Sequence, residues 1–556
     1  MTFHQKVFIL LILYIALVAR VYHFSAYAFG FDQVQIIENA EHILQGNLTL
    51  IGPRTGPADM FTGPLIYYLT APVMWLFGIW SVVIVPFLLA GVTGVSILFL
   101  NKRYLNIKTA LIIFTVWALS PFLIQYDRTL WNPDLSLLAF SLVFFPLLNK
   151  KSDWQGLLFV LLGSFLSYQA HFSGFLIPML VLVMVLKQRK PLTYFLSSCL
   201  GLGMSLMPTF LFDLRHNWLN ARGLITFMLA KNGGTTNPIV NFMAEFFHNL
   251  YVSVESAGKI FVSNINSPIV LVVGGILIYL ALLNQKKKRE NYLSILWIVA
   301  VAAIFGFYHS SKPEYYYFII FPPLFVLMAH ALENLSTKYL YLLLGAGIIY
   351  SSWMTADQYA KDPGLSLGND LKVKSIVEKI NSDSEISQIV LDIDALNYES
   401  SGIKYILKTV PLKEKGGVVH ITYPNKYNFA HLQKVEDIGI WLDPRFSDLN
   451  YLTENNYIIS TSTNIRLLKN NYLAAENQGA NHYEVFDQQQ KQGDLYTIPV
   501  KNNEKINWVN NCLAAESAEW NILENNEAIK YFNHYCFRYV PVVEKNESII
   551  EKIIVE

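Results

Sequence analysis

The chain has 556 residues, 53% of them hydrophobic, 14% aromatic and only 15% charged, which excludes an ordinary soluble domain and fits a polytopic membrane protein. A net charge of +1 excludes the basic face that nucleic acid requires. Three cysteines are too few for a disulfide framework.

The N-terminal stretch "MTFHQKVFILLILYIALVARVYHF" joins a short basic lead to an apolar run. It lacks a convincing small-residue cleavage site and more apolar runs follow, so it reads as an uncleaved first span. Eleven such runs recur as far as residue 354, at 5–24, 79–100, 107–125, 133–148, 155–169, 172–187, 192–212, 266–284, 291–308, 315–333 and 338–354. Their connections alternate in charge. "NKRYLNIK" (101–108), "NKKSD" (149–153), "KQRK" (187–190) and "NQKKKRE" (284–290) fall on one side with Lys6 and Lys338. The positive-inside rule makes that side cytoplasmic. Connections 25–78, 125–132, 213–265 and 309–314 are then extracytoplasmic, as is everything after the last span.

From residue 355 the chain changes character, with more charge and more Asn. "DLKVKSIVEKINS" has a helical pattern, and "ISQIVLDIDAL" (386–396), "GGVVHITYP" and "NYIISTSTN" read as strands bounded by polar or turn residues. The expected fold class is an α-helical polytopic membrane protein with about eleven transmembrane helices in residues 1–354. A C-terminal mixed α/β soluble domain follows in residues 355–556. Cys512 and Cys536 lie in that domain, and both a disulfide and two free thiols are compatible with the pattern.

The polar chemistry gathers in the outer connections. "GFDQVQIIENAEH" (30–42) puts Asp32 where the chain leaves the first span. An amphipathic stretch follows, with Ile36, Ile37, Ala40, Ile43 and Leu44 on one face. The Asp32–Gln35 spacing makes a D-x-x-Q capping pattern. A Gly- and Pro-punctuated loop carrying Arg54 and Asp59 leads to "PLIYYLTAPVMWLF", an expected second interfacial helix rich in Tyr and Trp. "QYDRTLWNPD" holds Asp127, Arg128, Asn132 and Asp134. "SYQAHFSG" places His171 between two spans, and "LFDLRHNW" places Asp213, Arg215 and His216 at the end of another. "HSSKPEYYYF" clusters His309, Lys312 and Glu314 with Tyr315, Tyr316 and Tyr317.

Ionisable groups at membrane depth are costly and by default mark a functional site. Each also has a structural reading: an N-cap for Asp32, snorkelling for Arg128 and Lys312, an interhelical hydrogen bond for His171. Taken singly, the structural reading is preferred for His171, Asp213 and His309, and the functional one for Asp32 and Arg128.

Together these segments resemble the polyprenyl-phosphate-dependent glycosyltransferases of the GT-C superfamily, in particular the dolichyl-phosphate-mannose protein mannosyltransferase-like family and its bacterial relatives. The carrying features are the acidic residue after the first span in "FGFDQ", and "FTGPLIYYL", which is similar to a Lys/His-Pro-Pro-Leu juxtamembrane motif. The arginine of "DRTLWNPD" completes the set, and "QAHFSG" and "KPEYYYFIIFPP" are also similar to bacterial members. The resemblance covers roughly residues 1–354. It implies a membrane glycosyltransferase that moves a sugar from a polyprenyl-phosphate-linked donor to an extracytoplasmic acceptor with inversion. Asp32 would be the base; Asp59 is a candidate second carboxylate, with an Ala-Asp turn residue as its preferred reading. The leaving phosphate needs cations rather than a general acid. Arg128 is the first candidate for that clamp, then Lys312, Arg215 and Arg54. Asp127, Asn132, Asp134, His171 and Tyr316 would line the substrate. No cofactor and no metal site is expected; the partners are the lipid-linked donor and membrane lipids.

The chain departs from the family in having Gln33 where a second acidic residue often follows the first, and Thr62-Gly63 where a cation precedes the prolines. An oligosaccharyltransferase would be expected to show a Trp-Trp-Asp motif, which is absent. Asp392 and Asp394 have the spacing of a metal-binding pair but read better as solvated carboxylates at a strand end. A lipid-glycan transporter or flippase would be expected to show inverted repeats and broken helices. A non-catalytic glycan-binding relative is the remaining alternative.

Overall fold

The structure, a computed structural model, describes residues 2–443 except 56–59, 150–151, 230–237, 263–267, 309–311, 334, 336, 359–364, 385, 394–400, 414–416 and 426–431. Beyond 443 it describes short strands at 459–460, 495–499, 538–539 and 550–554. The chain forms two compact units, Met1–Leu367 and Gly368–Glu556.

The first unit is helical. It runs α1 (Phe3–Val21), α2 (Phe31–Leu44), a hairpin of β1 (Arg54–Thr55) and β2 (Met60–Phe61), then α3 (Leu65–Phe77), α4 (Ser81–Tyr104) and α5 (Ile107–Leu119). Next come α6 (Pro121–Tyr126), α7 (Ser136–Leu148), α8 (Trp154–Ala170), α9 (Ile177–Gln188) and α10 (Thr193–Arg215). The unit continues with α11 (Leu219–Leu229), α12 (Pro238–Lys259), α13 (Pro268–Leu283), α14 (Lys288–Phe305), α15 (Phe321–Glu333) and α16 (Thr337–Gln358). Local chemistry sets several starts. Asn106 accepts from the Thr109 N–H (2.9 Å) ahead of α5, Asp153 accepts from Gly156 (2.6 Å) ahead of α8, and Ser120 with Pro121 opens α6.

Among the described residues each of the eleven apolar runs falls largely on helix. Among the described residues four helical stretches are long and apolar enough to cross a membrane: Phe3–Val21, Leu65–Tyr104, Thr193–Arg215 and Glu314–Glu333. A fifth is added if Pro268–Leu283 and Gln285–Phe305, bent by 81°, count together. The expected interfacial helix is α3, and it runs through a short 3-10 turn straight into α4. The stretch 213–265, expected only as an outer loop, contains α11 and α12. The latter packs on α13 and α14; Asn249 fixes it by donating to the Ala302 carbonyl (3.2 Å) and accepting from the Tyr317 hydroxyl (2.7 Å).

The centre is built around α7 and α15, whose residues are almost all buried. Helices α7, α8 and α10 approach closely through small residues, as membrane helices do when lipid supplies no hydrophobic drive. A Cβ at Gly163 would meet the Ala139 carbonyl at 2.6 Å. The hydroxyls of Ser164 and Ser198 hydrogen-bond across the α8–α10 seam at 2.8 Å.

In the second unit α17 (Leu367–Ser384) precedes a four-stranded sheet of β3 (Ile386–Ile393), β4 (Gly417–Tyr423), β5 (Gln433–Val435) and β6 (Ile438–Asp443) in the order β3-β4-β6-β5. The β3–β4 pair is parallel, with the short helix α18 (Ser401–Leu407) in the crossover; the other two pairs are antiparallel. Cys512, Cys536 and Asp394 lie outside the described residues, and the expected strand "NYIISTSTN" is described only at 459–460.

Candidate functional site

The site begins at the start of α2. Gly30 takes the extended backbone of an N-cap, and its N–H donates to Gln33 Oε1 at 2.9 Å. The expected cap by Asp32 with Gln35 is therefore corrected: the helix starts one residue before Asp32, and Gln33 reaches back instead. Gln33 is buried and its Nε2 also donates to the Leu130 carbonyl (3.1 Å), tying α2 to the 127–132 connection. Relieved of capping, Asp32 has no hydrogen-bond or ion-pair partner among the described residues. Its side chain is exposed, yet the protein around it desolvates the carboxyl and holds it above the ordinary carboxylate range. Its charge bears on the phenols of Tyr67 and Tyr315.

Three further connections meet this one. Asn132 Nδ2 donates to the Ala170 carbonyl (2.7 Å) and to Thr62 Oγ1 (3.4 Å). His171 is buried between α8 and the turn 172–176; its Nδ1 accepts from the Ser173 N–H (3.1 Å), and its ring lies against Tyr316 (4.3 Å) and Tyr315 (5.4 Å). Burial pulls the His171 pKa down to about 3, so the ring is neutral, and Nε2 has no hydrogen-bond partner among the described residues. Trp131 meets the Tyr315 ring at 5.0 Å and stacks on Tyr126 at 5.6 Å. Asp134 is buried beside them, with one carboxylate oxygen unpartnered among the described residues. Asp32, Asn132, His171 and Tyr316 thus belong to one cluster of helix ends with an aromatic wall.

The cations are distributed differently from expectation. The Arg128 guanidinium is buried at the end of α1, donating to the carbonyls of Ala19, Arg20 and Tyr22 (3.4, 3.1 and 2.6 Å) and His23 (3.2 Å) and packing on Tyr27. It caps the negative end of that helix, so these bonds give the guanidinium a structural role at the end of α1. Asp127 is paired with Arg20 at 2.7 Å, a structural tie between α1 and α6. Lys312 is paired with Glu245 at 2.5 Å. Arg215 stands exposed at the end of α10, and Arg54 is exposed on β1. Nearby, Asp213 caps α11 by accepting from the Asn220 and Ala221 N–H groups (2.8 and 2.9 Å). Asp59 and His309 lie outside the described residues.

Thr62 and Gly63 are structural here. Thr62 is fully buried, and a Cβ on Gly63 would overlap the Gln169 carboxamide. That carboxamide accepts from the Leu65 N–H (3.0 Å) at the start of α3 and donates to Ser205 Oγ (3.0 Å) on α10. Sequence reasoning missed Lys259, at the end of α12, which bonds to Glu255 (3.0 Å) and Glu314 (2.5 Å). The E-x-x-x-K spacing of Glu255 and Lys259 is the signal that marked it.

The chain shares its fold with a solved membrane-protein structure, ArnT from Cupriavidus metallidurans. The solved structure of ArnT from Cupriavidus metallidurans bound to undecaprenyl phosphate superposes with a TM-score of 0.52 at 13% identity, over 78% of this chain and 97% of that one. Its apo state gives 0.52 at 13%, over 79% and 98%. The Archaeoglobus fulgidus oligosaccharyltransferase in the apo form gives 0.43 at 12%, over 72% and 64%. No protein-family model and no curated protein matches the chain.

Proposed function

We propose that this chain is an integral membrane glycosyltransferase that moves a sugar from a polyprenyl-phosphate-linked donor to an extracytoplasmic hydroxyl with inversion. The observation that carries the reading is the Asp32 carboxylate. Among the described residues it has no hydrogen-bond or ion-pair partner and is open to solvent, while Asp127 is paired with Arg20 and Asp134 is buried. Asp32 accepts the acceptor's proton as that oxygen bonds to the anomeric carbon from the face opposite the phosphate. The carbon–oxygen bond to phosphate breaks, and polyprenyl phosphate leaves as the anion, so no general acid is needed. The aromatic wall of Trp131, Tyr315 and Tyr316 suits the apolar face of a sugar ring. The ArnT likeness supports the donor class, because that structure holds undecaprenyl phosphate. The alternation of basic connections supports an extracytoplasmic site.

The test is product analysis. Purified protein is incubated with a panel of polyprenyl-phosphate sugars and hydroxyl acceptors, and released lipid phosphate and product anomeric configuration are read by mass spectrometry and NMR. Transfer with inverted configuration is expected. Retained configuration, or no release from any donor, contradicts the reading.

A further inference from the structure

Glu314 sits where an anion is held by two donors from different elements. Lys259 Nζ on α12 donates at 2.5 Å to Oε1, and the Tyr126 hydroxyl at the end of α6 donates at 3.0 Å to Oε2. The two contacts differ in origin from the third, Lys259 to Glu255, which is an i,i+4 pair on one helix with Glu255 only 20% exposed. The Glu314 side chain is 48% exposed and comes from a separate segment. Glu314 is also the residue before Tyr315, which feels the Asp32 charge and meets Trp131. Through Tyr315 the seat is linked to the cluster that contains Asp32.

We propose that Lys259 and Tyr126 form the seat for the donor's phosphate and that Glu314 is its resident placeholder, displaced when the donor binds. This rests on the proposed donor class and names the residues that receive it. The charge count favours exchange. A sugar phosphodiester carries one negative charge, as the Glu314 carboxylate does, so it can replace the carboxylate at Lys259 one for one; the sugar-free phosphate, with about −1.5 to −2 charges, competes for the same donors. Glu255 stays and fixes the ammonium, while the phosphate takes over the bonds from Nζ and the phenol. The leaving phosphate then meets a charge-assisted donor already in position.

The test is equilibrium binding of sugar-free polyprenyl phosphate to the full-length purified protein in detergent, with donor KM and kcat read in parallel. Glu314→Gln is expected to tighten binding several-fold, because the competing anion is gone while its shape remains. Lys259→Met is expected to weaken binding and raise donor KM about tenfold, the scale of one charge-assisted contact, and Lys259→Arg to restore most of it. Unchanged or weaker binding by Glu314→Gln, or an unchanged KM in Lys259→Met, overturns the placeholder. Should Lys259→Met fail to fold, the Glu314→Gln result decides. Wild-type protein that binds no polyprenyl phosphate overturns this inference together with the donor class. Normal wild-type binding with insensitive variants overturns the seat alone.

Discussion

Asp32 gains its character from what its neighbour does. Gln33 supplies the N-terminal hydrogen bond of α2, and the carboxylate next to it is left partially desolvated and unpaired. Desolvation holds the folded pKa above the unfolded value, so protonation favours the folded state and ionisation costs stability as pH rises through the folded pKa. Asp32→Asn is expected to leave the thermal midpoint unchanged or raise it, a pattern seen where function opposes stability. The same shift places the acid limb of the rate profile above the ordinary Asp value of about 3.9. Activity falls as pH drops through that limb, and a profile flat down to pH 4 would remove Asp32 from the rate. Gln33→Ala loses the bonds to Gly30 and Leu130 and is expected to cost about 1–2 kcal/mol in a denaturation measurement. The D-x-x-Q pattern was legible here but pointed to the wrong cap. Gly30-x-x-Gln33 satisfies the same spacing, and Gly30 adopts the required backbone.

At the scale of elements, the helix ends are held by side chains from distant sequence. Arg128 closes α1 from 108 residues away, a partnership that no local pattern contains. Arg128→Met is expected to destabilise by about 2 kcal/mol or more, leaving several carbonyls without donors. Donor KM in the surviving folded protein should stay within about twofold; a large KM effect with normal stability would return Arg128 to the phosphate. Gly63→Ala is expected to cost about 1–3 kcal/mol by overpacking against Gln169. The apolar runs were legible because lipid imposes length and apolarity on every span. Helix α12 was not, because its polar face with Glu245, Glu255 and Lys259 reads as loop when its packing on α13 and α14 is unknown. That omission also hid Lys259.

For the whole molecule, the bundle and its polar end were readable from hydropathy and charge alternation, whereas the convergence of four connections into one cluster depends on helix packing that sequence spacing does not encode. Orientation can be measured directly. In a background with Cys199, Cys512 and Cys536 replaced by Ser, Asn47→Cys is expected to react with a membrane-impermeant maleimide on intact cells and Lys288→Cys only after permeabilisation. Both positions are exposed in the structure. The decisive measurement is single-turnover sugar transfer from a polyprenyl-phosphate donor by wild type, Asp32→Glu and Asp32→Asn, with donor affinity determined for each. Transfer should fall by about 10²–10⁴-fold in Asp32→Asn, the range of a lost general base, at unchanged donor affinity. Wild-type transfer by Asp32→Asn would contradict the assignment of Asp32 as the base.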